Sequence, residues 1–122
     1  MVTYIWSLII LCIVLIGQIF AIDGLYISIP LIDIPLHVLG GIGIGLFISA
    51  LINSSGLRLR FKSLSIMIGV LVIGIIWETI EAYYNISGYI PGTRLYYFNS
   101  AKDFLNDIIG GGIAIWFVRN KN

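Results

Sequence analysis

The residues of this chain that could do chemistry fall into pairs. Asp33 and His37 lie four apart, Glu78 and Glu81 three apart, and Asp103 and Asp107 four apart. On a helix, spacings of three and four bring both members of a pair to one face. An imidazole with several carboxylates is a borderline-to-hard ligand set suited to Zn, Mn or Fe, and the same groups can serve as general acids and bases. The sequence holds one histidine and neither an HExxH nor an ExxH motif, so no familiar metalloenzyme signature is present. It also lacks a Ser or Cys nucleophile motif, which argues against a covalent mechanism. Arg94 could contact an anionic headgroup or pair with one carboxylate at the interface.

The elements that must position these pairs are apolar. The 122 residues are 59% hydrophobic and 11% charged, with a mean hydropathy of +1.03. Soluble domains run at about 45–50% and about 25%, so a water-soluble globule is excluded. Four apolar segments, 4–22, 34–52, 64–84 and 104–118, approach the ~20 residues that cross a bilayer. The expected fold is all-α, a polytopic four-transmembrane-helix bundle forming one domain over residues 1–122. The fourth segment is short and begins inside the polar stretch 99–107, so its first turn is expected in a polar pocket among the other helices. The first segment reads as a retained helix rather than a cleaved signal peptide, because no Lys or Arg precedes it and its apolar run is long. A net charge of +1 gives no basic surface for nucleic acid. Cys12, the single cysteine, has no intrachain disulfide partner and reads as a small membrane-buried hydrophobe.

Four crossings place both termini and the loop 53–63 on one side, with Arg58, Arg60, Lys62, Arg119 and Lys121; the other side carries Arg94 and Lys102. The excess of positive charge makes the first side cytoplasmic, in a multi-pass protein of a bacterial inner membrane. All three pairs then converge at the extracytoplasmic end, where Tyr83, Tyr84, Tyr89, Tyr96 and Tyr97 suit the membrane interface. Gly41 and Gly45, and the run Gly110 to Gly112, read as helix-packing positions. The Asn53 and Asn85 sequons read as chance, and Trp77 as an interfacial or packing residue. The loop 89–98, with its Pro91-Gly92 turn, is either a lid over an acidic pocket or a headgroup anchor.

An ionisable residue at the centre of a span costs about 2.5–3.5 kcal/mol on insertion scales, so the cluster needs compensation by shared protons, a bound cation, or Arg94 and Lys102 folding back. Three readings stay open: a metal or catalytic centre, a polar network joining helices, and an ion or proton pathway. In the first, His37, Glu81 and Asp107 hold a divalent metal. Glu78, Glu81 and Arg94 act on a lipid or envelope substrate, while Asp33 and Asp103 orient the ligands. The reaction would be metal-assisted hydrolysis or transfer at the outer leaflet. The alternative is a non-catalytic accessory or structural protein, or a small conducting element. Four short helices enclose little volume, so conduction would call for a homo- or hetero-oligomer.

The ordered pattern Asp33-x-x-x-His37-x-x-x-Gly41, Trp77-Glu78-x-x-Glu81 and Asp103-x-x-x-Asp107 followed by glycine resembles the YjdF-like family of small bacterial inner-membrane proteins, and more distantly the VanZ-like family. VanZ-like members tend to carry Glu-x-x-Gln and Asp-x-x-x-Asn at the second and third motifs, so the present site is the more acidic. The resemblance implies a multi-span membrane protein sharing these Asp, His and Glu residues, and carries no reaction with it.

Overall fold

The computed structural model describes residues 1–25, 28, 29, 31–56 and 60–120, apart from the side chain of Leu25. Arg58 and Lys121, two of the cations behind the orientation argument, lie outside these residues. Every regular element among the described residues is helical. They are α1 (Val2–Phe20), which runs on into a single π turn (Ala21–Leu25), then α2 (Asp33–Ser54), α3 (Lys62–Tyr84) and α4 (Arg94–Asn120).

The helix ends follow from local chemistry. The π turn after α1 breaks at Gly24, whose φ of 133° needs a residue without a side chain. Asp33 in the first turn of α2 suits the positive end of that helix. Asn85 ends α3 in the left-handed conformation, φ 52°, a position Asn tolerates. That is a structural reason for an asparagine there. Thr93 starts α4: its Oγ1 accepts the backbone N–H of Tyr96 at 3.3 Å, a standard N-cap.

This cap moves one boundary. The fourth helix was expected over 104–118, but it begins at Arg94 and runs 27 residues. The stretch 94–98 is therefore helix, and only 89–93 remains as loop. The polar residues Asn99, Ser100, Lys102, Asp103 and Asp107 do not break the helix, because their side chains find partners inside the bundle. Three helices, through Val2–Gly24, Asp33–Ser54 and Lys62–Tyr84, are long and apolar enough to cross a membrane; α4 is long enough but too polar in its first half to qualify.

Burial is inverted relative to a soluble protein. Gln18, Asp33, His37, Glu78, Glu81, Asp103, Asn106 and Asp107 are buried, while Ile13, Leu15, Phe20, Ile75, Trp116 and Phe117 are exposed. Water would reverse this order, whereas hydrocarbon drives ionisable groups inward.

The centre of the bundle is α2, which packs against α1, α3 and α4. Its contact with α4 is backbone to backbone. A Cβ on Gly41 would lie 3.1 Å from the Cα of Gly110, and one on Gly45 would lie 2.7 Å from the Cβ of Ala114. The expected glycine packing is thus borne out at these positions. Gly112 differs, since a Cβ there would meet nothing within 4 Å. At the opposite end from the acidic pairs, Tyr4 and Ser54 share a 2.8 Å hydrogen bond, and Lys62 donates to Asn53 at 2.7 Å.

Candidate functional site

The close approach of α2 and α4 brings Asp33 and His37 against Asp103 and Asp107. His37 Nδ1 lies 3.0 Å from Asp107 Oδ1. On the other edge of the ring, Nε2 faces Asp33 Oδ1 at 3.4 Å and Asp103 Oδ1 at 3.8 Å, without a hydrogen bond to either. The ring is thus held between carboxylates, one against Nδ1 and two facing the Nε2 edge. The Asp107 carboxylate fits because α3 presents Gly74 to it: a Cβ there would come 2.6 Å from Asp107 Oδ2.

The end of α3 supplies the third side of the cluster. Trp77 donates its indole N–H to Glu81 Oε1 at 2.8 Å, and Ser100 donates to Glu78 Oε2 at 2.5 Å. Two groups of donor atoms lie close enough to share an ion. One comprises Asp33, His37 and Asp103; the other Glu78, Glu81 and Asp103; within each, the atoms are within 4.8 Å of one another. Asp103 belongs to both and is fully buried.

The pairs expected from the sequence do come together, with one exception among the site residues. His37, Asp33, Asp103, Asp107, Glu78 and Glu81 share one buried region, whereas Arg94 is exposed at the first residue of α4 and makes no ion pair among the described residues. Within the cluster the two aspartates of α4 take different positions. Asp107 braces the imidazole, while Asp103 sits between the two donor groups.

Asn99, Ser100 and Trp77 are the site residues that the sequence did not single out as partners, whereas Lys102 folds back onto the carboxylates as one of the expected compensations. Lys102 Nζ reaches Asp33 Oδ2 at 3.0 Å, Asp103 Oδ1 at 3.4 Å and Asn99 Oδ1 at 3.0 Å, and Asn99 donates to Asp103 Oδ2 at 2.8 Å. A signal for them existed: Asn99 and Lys102 precede Asp103 by four and one, and read as helix they lie close to it.

Charge nonetheless remains unbalanced. Among the described residues five buried carboxylates face one lysine and one imidazole; Glu78 Oε1 and Asp107 Oδ2 have no hydrogen-bond partner, and Asp103 Oδ1 and His37 Nε2 meet only ion-pair contacts of 3.4 to 3.8 Å. Buried polar atoms are rarely left so, and an orphaned group costs about 1–3 kcal/mol. Protons shared among carboxylates or a bound cation would each relieve it.

A family model described as "Predicted membrane protein (DUF2238)" matches residues 1–121, and the chain belongs to that family. No curated protein and no solved structure matches it.

Proposed function

Starting from membership in that membrane-protein family, we propose that the protein is a membrane-embedded, divalent-cation-dependent hydrolase or transferase acting on a lipid or envelope substrate. In this reading α4 is a fourth crossing, both termini are cytoplasmic, and the cluster lies at the extracytoplasmic end in a bacterial inner membrane. Twenty-seven residues of α4 extend ~40 Å, enough for ~30 Å of hydrocarbon, and its polar side chains at the cluster are covered by α2 and α3. The resemblance carried by the Asp, His and Glu motifs implies a multi-span bacterial inner-membrane protein, and the orientation rests on the distribution of cations.

The observation that carries the reading is the imidazole of His37. Its Nδ1 is anchored by a carboxylate, and its Nε2 is buried, unpartnered and directed at two more. A metal-binding histidine characteristically has its second ring nitrogen held by a carboxylate in this way. Asp33, His37 and Asp103 would hold the cation, which would polarise a carbonyl or phosphoryl oxygen of the substrate. Glu78 and Glu81 would then manage protons: Ser100 and Trp77 each fix one oxygen, and Glu78 Oε1 stays free to accept. Arg94, outside the cluster, is left the role of meeting an anionic headgroup.

One observation favours a second reading, a purely structural network. Lys102 already contacts Asp33 and Asp103, so these two carboxylates have a cation without any metal. The ammonium and a metal would compete for the same oxygens. That competition makes the readings separable. Detergent-purified protein equilibrated with Zn, Mn or Fe salts should retain stoichiometric metal by elemental analysis, lose it in His37→Gln and bind it more tightly in Lys102→Met. Absence of stoichiometric metal from both wild type and Lys102→Met would leave the network reading standing and end the catalytic one.

A further inference from the structure

Packing of α1 along α2, with α3 on the far side, leaves a groove between α1 and α3 floored by α2. It has a volume of about 600 Å³, with Val14 and Leu15 of α1 on one wall, Ile73 of α3 on the other, and Ile44 and Ile48 along the floor. The polar groups are confined to one end, where Gln18, Trp77, His37 and Asp107 close it. The groove therefore changes from hydrocarbon-like to polar along its length and ends at the cluster described above.

We propose that this groove holds one acyl chain of a membrane lipid, with the ester end toward His37 and Asp107 and the methyl end toward Leu51. From His37 to Leu51 the helix rises ~21 Å, more than half of the ~30 Å hydrocarbon core, so a whole tail from one leaflet can lie along it. The open side faces hydrocarbon in a bilayer, and lipid tails are the apolar material that reaches it from there. A helix of a second copy fits less well: a cylinder ~10 Å across and ~21 Å long fills roughly 1,600 Å³, so only part of its width could seat in a groove of about 600 Å³.

Gly40 helps keep the groove open. A Cβ there would meet only Val14 Cγ1, at 4.0 Å, so the space beside it is free for a ligand rather than taken by packing. Assigning a lipid tail deepens the functional reading above and rests on it only for what happens at the polar end. Occupancy of the groove requires neither metal nor turnover.

The test uses purified full-length protein in phosphatidylcholine vesicles doped with a phosphatidylcholine whose acyl chain carries a photoactivatable diazirine, with crosslinked residues mapped by mass spectrometry. Ile44 and Ile48 lie between α1 and α3, so labelling there requires a chain in the groove. The expected result is labelling of Ile44 and Ile48, moving toward Leu51 as the diazirine is placed nearer the methyl end. Gly40→Leu or Val14→Phe should reduce it at least fivefold, while labelling of outward-facing Ile13 and Trp116 persists. Labelling confined to Ile13, Trp116 and other outward residues overturns the proposal. So does floor labelling that neither substitution changes. The same map with a chelator present separates the two proposals: floor labelling without stoichiometric metal keeps the groove and removes the metal chemistry, and the converse removes the groove alone.

Discussion

His37 is the residue on which structure and chemistry meet, because each edge of its ring faces a different task. If the cluster is a metal or catalytic centre, His37→Gln, Glu81→Gln and Asp107→Asn should each abolish function in a cellular or lipid-turnover assay. Insertion and the melting temperature in detergent should stay near wild type, because amides keep much of the hydrogen bonding but bind metal poorly and cannot shuttle protons. A normal phenotype with all three would remove that reading. Lys102 makes a separate prediction. Replacing it by Met strips the ammonium from Asp33 and Asp103 and should destabilise the protein by about 1–3 kcal/mol, below the range for a fully buried pair because the lysine is partly exposed. Thermal unfolding of Lys102→Met beside wild type in one detergent checks this. A melting temperature unchanged from wild type would show that the lysine is not the group holding the carboxylates.

At the scale of elements, the run Gly110 to Gly112 separates what residue type says from what position says. Three identical residues in sequence meet three different surroundings. A Cβ on Gly110 would meet the backbone of α2 at Val38 and Gly41, one on Gly111 would touch Met67, and one on Gly112 would meet nothing. Gly110→Ala should therefore force α4 away from α2 and lower stability by about 1–3 kcal/mol, the usual range for overpacking, with the cluster disturbed alongside. Gly112→Ala should raise stability by about 0.5–1 kcal/mol through helix propensity alone. Thermal unfolding of the two variants in one detergent checks both, and equal effects would contradict the close α2 to α4 contact. The start of α4 can be tested in the same way. Thr93→Ala removes the N-cap and should cost about 0.5–2 kcal/mol, with fraying of the first turn seen in amide exchange.

For the whole molecule, the orientation expected from its cations is tested by accessibility. With Cys12, which is exposed on α1, replaced by Ser, single cysteines at Ser54, Gly56 and Lys62 should react with a membrane-impermeant maleimide only from the cytoplasmic side. Reaction from outside intact cells would invert the bundle and move the cluster to the inner face. The apolar blocks made the membrane class, the helical fold and the first three helices legible without coordinates, because solvation of a helix by hydrocarbon depends on composition summed over a span. Spacings of three and four likewise put the ionisable residues on common faces, as found. The start of α4 at Arg94 was hidden, since a polar stretch reads as loop until partners for Asn99, Ser100 and Lys102 are known. The positions of Asp103 and Asp107 relative to the imidazole were hidden too. One turn separates them on the same face, and only the glycine contacts that set the depth of α4 against α2, with Gly74 yielding room on α3, decide which carboxylate braces the imidazole and which lies between the donor groups. Periodicity assigns a face, but the depth and neighbours of a side chain on that face depend on helix contacts between residues far apart in the chain.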